Sequence, residues 1–319
     1  MKLLNRLLDG SILFSFDVHG FRRHAKQFAA DDLDHSLEGK AALITGANSG
    51  IGFASAKALM QRGCHVVMVS RNEGRAKNAA EELRKLAPEG SVEYRIADIS
   101  SLRQVRDLSE SALPELAILV HNAGDMVPEL LRSEEGHETI TATHVLGPYL
   151  LTTRLLEIGL LKGSPEDPPR VIFVSSGGMY SQPLDVDVLK NPELPYDGMV
   201  HYAQTKRAQV VLAQALQERQ HKEAVFYCSM HPGWVDTPAV RRAMPRFYRT
   251  MGKILRNPEQ GSDTVVWLAM APFSKLESPG GFYFDRKIAP MHMLSKTRKG
   301  DGANSLLEYI EGAQGIREA

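Results

Sequence analysis

The chain has 319 residues, a length that suits one large α/β domain or two small ones. Hydrophobic residues make up 43 % and charged residues 24 %, ordinary proportions for a globular protein. Lys plus Arg equals Asp plus Glu at 38 each, so bulk charge gives no basis for a nucleic-acid partner. No apolar run approaches the ~18 residues of a membrane span. The two cysteines, Cys64 and Cys228, are too far apart for zinc-site spacing or a disulfide framework and read as small buried hydrophobes. Lys2 and Arg6 precede an apolar stretch, but Asp9 interrupts it, Asp17 ends it and no small-residue cleavage site follows. The expectation is therefore a chain without a signal peptide, kept in a reducing, cytoplasmic compartment.

Residues 1–39 precede the first strand as an N-terminal extension. Within it Leu3, Leu4, Leu7, Leu8 and Ile12 recur at helical spacing and predict a docking helix over residues 1–16. That helix would either pack on the catalytic domain or lie on a membrane. From Lys40 onward short apolar runs alternate with longer helical stretches. The predicted strands are Ala41–Thr45, His65–Ser70, Val92–Ala97, Leu116–His121, Arg170–Ser175, Ala224–Ser229 and Gly281–Phe284. The predicted helices are Ile51–Arg62, Gly74–Leu86, Leu102–Ala112, Glu135–Leu160, Val200–His221 and Glu259–Met270. Such alternation predicts an α/β fold: a Rossmann-type, doubly wound parallel sheet of about seven strands. It forms a single domain over residues 40–290, with a substrate lid at 236–258 and a C-terminal tail at 291–319.

The first strand runs into Thr45-Gly46-Ala47-Asn48-Ser49-Gly50-Ile51-Gly52, and a helix follows. Gly46 permits the tight turn, Gly50 the approach of backbone to a pyrophosphate, and Gly52 close helix–sheet packing. The helix N-terminus then presents free N–H groups and a positive dipole to the phosphates. At the end of the second strand an NAD site carries an acid for the ribose hydroxyls. Here Ser70 and Arg71 stand instead, and a guanidinium grips a 2′-phosphate that a carboxylate would repel. The expected cofactor is NADP(H).

Farther along, Tyr202 and Lys206 lie four apart on one helix and share a face. A neighbouring ammonium favours phenolate and is expected to lower the Tyr202 pKa toward neutrality. Together with Val174-Ser175-Ser176 at the end of the preceding strand, this reads as an acid/base centre.

The combination Thr45…Gly52, His121-Asn122-Ala123-Gly124, Ser176, Tyr202…Lys206 and Pro232-Gly233…Thr237 resembles the short-chain dehydrogenase/reductase family over roughly residues 38–285. Ser175-Ser176-Gly177-Gly178-Met179, Ser229-Met230-His231-Pro232-Gly233-Trp234, Arg242-Ala243-Met244-Pro245, Asp285-Arg286-Lys287 and the extension resemble one orphan branch of it more closely. The resemblance implies an NADP(H)-dependent enzyme that moves hydride between nicotinamide and a carbonyl or alcohol. It implies that Ser176 hydrogen-bonds the substrate oxygen, Tyr202 exchanges its proton, and Lys206 holds the ribose hydroxyls. Asp98 would bind the adenine amino group, and Thr237 would reach the carboxamide. The same resemblance puts Asn48, Ser49, Ile51, Asn72, Ile99, Asn122, Gly124, Pro232, Gly233 and Val235 along the cofactor. Two residues depart from the family: His121 replaces the first Asn of Asn-Asn-Ala-Gly, and His144 stands where the catalytic Asn holds a relay water through its backbone carbonyl.

Two alternatives of other classes are an NADP(H)-binding sensor or scaffold with weak or lost turnover, which His144 favours, and a nucleotide-sugar epimerase or dehydratase, which has a longer C-terminal domain. Met179, Tyr180, Leu184 and Leu194 suit either an apolar pocket wall, hence a lipophilic substrate, or the core. His19, His24 and His35 read as scattered on a solvated surface, and no metal set is expected. In the lid, Arg246, Arg249, Lys253 and Arg256 fall on one helical face, with Met244, Phe247, Tyr248, Met251, Ile254 and Leu255 opposite. Such a helix suits either peripheral contact with an anionic membrane or a solvated lid that closes the pocket. Oligomeric state is left open.

Overall fold

A computed structural model describes residues 12–192, 195–219 and 225–315. Eight strands form one sheet in the order β3-β2-β1-β4-β5-β6-β7-β8. They are β1 Ala41–Thr45, β2 His65–Ser70, β3 Ser91–Ile96, β4 Ile118–His121, β5 Arg170–Val174, β6 Phe226–Met230, β7 Phe282–Phe284 and β8 Lys287–Ile288. All pair in parallel except β7 with β8. The helices are α1 Val18–Ala25, α2 Gly50–Met60, α3 Glu73–Leu86, α4 Leu102–Glu110, then α5 in three consecutive parts: Thr139–Thr141, a π-helical turn Ala142–Leu146, and Gly147–Glu157. They continue as α6 Val186–Lys190, α7 Gly198–Arg219, α8 Pro238–Ala243, α9 Pro245–Met251, α10 Pro258–Met270 and α11 Ala303–Ala313.

The period of two along each strand divides the core into two layers. Leu43 of β1 joins Val67 and Val69 of β2 on one face of the sheet, while Ala42 and Ile44 join Val66 and Met68 on the other. Both faces are covered, so the central strands β1, β4 and β5 are buried along their whole length, whereas the edge strand β3 carries Ser91, Glu93 and Arg95. The helices bury one stripe each: Ala76, Ala79, Ala80 and Leu83 in α3, and Leu102, Val105 and Leu108 in α4. Side-chain caps from Asn72, Ser101 and Asn257 start α3, α4 and α10. Because β1 lies between β2 and β4, the winding reverses there and opens a crevice beyond the carboxyl ends of the strands.

Several expectations are corrected. The sheet gains an eighth, antiparallel strand because Asp285 and Arg286 both adopt positive φ, +47° and +59°, and reverse the chain in a tight hairpin. The expected helix Glu135–Leu160 begins only at Thr139, where the buried Glu138 carboxylate accepts the Ile140 and Thr141 amides. Leu116 is not in β4 but bridges Leu161. The C-terminal segment, assigned no element from sequence, contains α11, which buries Leu306, Leu307 and Ile310 in the main core.

The lid departs most. Pro245 separates α8 from α9, and the chain passes through a 3₁₀ turn at Gly252–Ile254 before Leu255 extends. Arg256 is not on a cationic surface; its side chain is 1 % exposed and paired with Asp285. The expected four-cation face therefore does not form. Arg246, Arg249 and Lys253 remain exposed, while Arg241 pairs with Asp236 and Arg242 with Asp125. Met179, Tyr180 and Leu184 are core rather than pocket wall. Met179 packs with Phe16, Val210 and Phe282, and Tyr180 donates its hydroxyl to the Pro290 carbonyl at 2.7 Å. His24 is not solvated either, since its Nδ1 lies 2.5 Å from Asp285 Oδ2. Leu194 and most of the expected 1–16 helix lie outside the described residues, of which Ile12–Ser15 form a helical turn. Among the described residues no helix is long and apolar enough to cross a membrane.

Candidate active site

The glycine turn after β1 is built against the loop after β4. Gly46 and Gly50 have φ of +66° and +58°, a region that strongly favours glycine. A side chain at Gly52 would come within 2.4 Å of the Asn122 amide nitrogen. That nitrogen donates to the Thr45 and Gly46 carbonyls at 3.0 and 3.1 Å, and Thr45 Oγ1 accepts the backbone N–H groups of Asn122 and Ala123. Asn122 thus fixes the turn as well as bordering the crevice. Ser49 precedes α2 with no side-chain cap, so the first N–H groups of α2 lack the Asx or Ser cap found at α3, α4 and α10. An uncapped helix N-terminus opening on the crevice fits an anionic pyrophosphate. Thr237, which caps α8 through its oxygen, brings its methyl to 3.4 Å from where a Gly50 side chain would sit.

Along the adenosine side, Asn48 accepts the Ser70 hydroxyl at 3.3 Å. The Arg71 side chain is 64 % exposed and points to Asp125, 3.6 Å away. The same carboxylate binds Arg242 of the lid at 2.6 Å. Asn72 caps α3, Ile99 is buried against α5, and one oxygen of Asp98 already accepts the Ser100 amide and hydroxyl. Val235 is buried and pairs with Arg256 in a β-bridge, beside Pro232 and a left-handed Gly233. These residues form the frame of the crevice more than its surface.

The chemical groups converge between β5, α5 and α7. Lys206 Nζ donates to the Val174 carbonyl at 2.9 Å and to Gln209 Oε1 at 3.0 Å, and lies 5.5 Å from the centre of the Tyr202 ring. Burial pulls its ammonium down to about 7. The Tyr202 phenol is pushed up, contrary to the expectation of a lowered value. Burial outweighs everything else, the Ser176 hydroxyl bond lowers it, and Asp125 raises it further. A Lys206 already turned to two acceptors offers the phenol little.

His144 lies at the bottom of the site, edge-on to the Tyr202 ring at 5.5 Å. Pro148 has no N–H to offer the carbonyl four residues earlier, and α5 widens there, with the Gly147 amide bonding the Ala142 carbonyl. The His144 carbonyl therefore lacks its α-helical donor, as a backbone relay role requires. Thr205 donates its hydroxyl to the Tyr202 carbonyl at 2.9 Å and meets His144 Nδ1 at 2.8 Å. Its one proton is spent, so His144 carries its own proton on Nδ1. Nε2 is a bare acceptor, buried and without a partner among the described residues. Burial, then Lys206 and His201, holds the imidazole well below its ordinary pKa, hence neutral. Nε2 lies 2.7 Å from where a Gly124 side chain would sit, so Gly124 makes room for it.

Sequence reasoning missed Asp125, Thr205, Gln209 and the buried pair Glu138–His201. The last joins the start of α5 to α7 at 2.7 Å, immediately before Tyr202. Thr205 and Gln209 are each three residues from a named group, a spacing that could have marked them. Asp125 directly follows Gly124 of the Asn122-Ala123-Gly124 run, an adjacency that could have marked it.

Residues 40–246 match the family model of the short chain dehydrogenases. Dehydrogenase/reductase SDR family member 12 of Bos taurus is 41 % identical over 303 residues, covering 94 % of each chain. Retinol dehydrogenase 14 of Homo sapiens is 33 % identical over 270 residues, 78 % of each chain. Among solved structures, the Pseudomonas aeruginosa RhlG/NADP active-site complex superposes with a TM-score of 0.61 at 25 % identity, over 77 % of this chain and 94 % of that one. With the crevice, the glycine turn and the Ser176–Tyr202–Lys206 cluster in one place, the chain belongs to the short chain dehydrogenase family.

Proposed function

We propose that the protein is an NADP(H)-dependent oxidoreductase that interconverts a carbonyl and an alcohol on an apolar substrate, with Tyr202 as its acid/base. The observation that carries this reading is geometric: Ser176 Oγ and the Tyr202 ring flank the same position beside Gly178, at 3.6 and 3.8 Å, and the ring lies 5.5 Å from both Lys206 Nζ and the His144 ring, with burial keeping the phenol protonated. A nicotinamide cofactor supplies or accepts the hydride when bound. In the reducing direction Tyr202 gives its proton to the substrate oxygen, while Ser176 donates a hydrogen bond to the same atom. Reversal takes the proton back from the alcohol. Lys206 holds the ribose hydroxyls, the α2 N-terminus receives the pyrophosphate, and Thr237 meets the carboxamide.

Preference for the 2′-phosphate rests on Arg71, whose present partner is one shared carboxylate at 3.6 Å. An apolar substrate is supported by Met199 and Val200, which are 61 % and 38 % exposed just ahead of Tyr202, and by the relative named for retinol. The test is a panel of lipophilic ketones, aldehydes and alcohols followed by nicotinamide absorbance. Turnover with NADPH or NADP⁺ above that with the unphosphorylated cofactor supports the reading. Preference for NADH, or turnover confined to small polar sugars, contradicts it.

A further inference from the structure

The extension ahead of the family-matched segment, which begins at residue 40, reaches into the far end of the same crevice. Phe16 is 5 % exposed. Its ring sits among His231, Phe284 and Trp234, with centroids 4.3, 5.2 and 6.1 Å away. One edge lies where a side chain on Gly177 would be, 2.5 Å from that position. Gly177 directly follows Ser176, so Phe16 fills the space beneath the loop that carries the Ser176 hydroxyl.

The backbone of the arm is tied to the second loop. The Phe16 carbonyl accepts the Trp234 amide at 2.8 Å and Arg256 Nε at 3.0 Å. Arg256 also reaches the Ser15 carbonyl at 2.9 Å and the Pro232 carbonyl at 3.3 Å. Its guanidinium is held by both Asp285 oxygens, at 2.6 and 2.9 Å. Asp285 in turn binds His24 of α1. A side chain on Gly233 would come within 2.4 Å of Arg256 Nε. The left-handed turn at Asp285 and Arg286 aims one side chain at Arg256 and the other at Asp263. Strained backbone of this kind persists where surrounding contacts over-determine it. Arm, lid end and hairpin therefore meet on one buried charge pair, and the arm is wedged between the loops after β5 and β6.

We propose that residues 14–24 are a working part of the active site, with Phe16 a positioning residue that sets the Ser176–Gly177 and Pro232–Trp234 loops at the nicotinamide end. The proposal rests on the cofactor reading above. It makes a directional claim: the arm acts on the nicotinamide half of the cofactor and leaves the adenosine half alone.

The test uses the full chain and two probes, NADPH and 2′,5′-ADP, the second lacking nicotinamide. Phe16→Ala is expected to weaken NADPH about tenfold, the scale of losing one buried aromatic anchor, while 2′,5′-ADP holds within about twofold. Phe16→Leu, which keeps most of the packing and serves if the alanine variant does not fold, is expected to lie between. Leu307→Ala, in α11 and in a hydrophobic cluster that does not include Phe16, provides a control of comparable destabilisation and is expected to move neither probe. Loss of melting temperature with an unchanged ratio of the two affinities, or an equal loss of both, overturns the proposal. A wild type that fails to bind NADPH overturns it too, but that failure lies in the cofactor reading and shows before any variant is made.

Discussion

The two ends of the crevice are built by different physics. The adenosine end relies on backbone: glycine turns, uncapped N–H groups, and an exposed arginine on a shared carboxylate. The nicotinamide end relies on burial: Lys206, His144, Arg256 and Asp285 are all nearly inaccessible, and each is tied to residues distant in sequence, with His144 Nε2 alone of their named atoms left open among the described residues. Charge at the first end is screened and replaceable, whereas charge at the second is committed to one geometry. Loss of a paired charge is therefore expected to change affinity at the first end and stability at the second.

Arg256→Ala gives the largest stability effect. Breaking a buried pair leaves Asp285 with His24 in place of a guanidinium held by both its oxygens, and costs about 3–5 kcal/mol, read by urea unfolding. Arg71→Ala is expected to cost less than about 0.5 kcal/mol in the same assay. Equal losses would abolish the contrast between the two ends.

The next effect belongs to Arg71 in binding. Removing a charge-assisted contact to the 2′-phosphate is worth about 1.5–3 kcal/mol, so Arg71→Ala should weaken NADPH by at least about tenfold and leave NADH unchanged. Calorimetry on both cofactors decides it, and parallel losses would move the 2′-phosphate site elsewhere.

A pH effect follows at the buried end. The Lys206 ammonium, pulled from its ordinary value of 10.5 to about 7, is present below that pH and lost as pH rises through it. The contact it makes with ribose hydroxyls falls in the same direction. NADPH affinity is expected to decline between pH 7 and 9 in the wild type, and to be flat in Lys206→Met. A decline that survives the substitution assigns the titration to another group.

Smallest is Asp125→Asn. It frees Arg71 and Arg242 from a carboxylate that also opposes the phosphate, and NADPH should tighten a few-fold. Weaker binding would mean that the carboxylate organises the site.

Legibility in the sequence follows the same divide. The strands and the glycine turn were readable because period-two burial and a required left-handed turn are local. Ser176, Tyr202 and Lys206 were readable from motif and order. Arg256 was misread as one cation of a surface stripe, because its spacing suits a helix that Pro245 and the extended Leu255 interrupt. The hairpin tip Asp285–Arg286 stands out in the sequence but cannot be placed from it, since its partners include His24, Asp32, Arg256 and Asp263. The rise in the Tyr202 pKa is hidden for a similar reason: spacing puts an ammonium beside it, but only the fold shows that burial outweighs that neighbour and that Lys206 turns to other acceptors.

Tyr202→Phe tests the central claim most directly. The variant keeps the ring that packs on His144 and loses only the hydroxyl that carries the proton. The account predicts the wild-type melting temperature, NADPH affinity within about twofold, and turnover reduced by at least about a hundredfold. Turnover close to wild type in a variant that still binds NADPH would contradict it and remove Tyr202 from the chemistry.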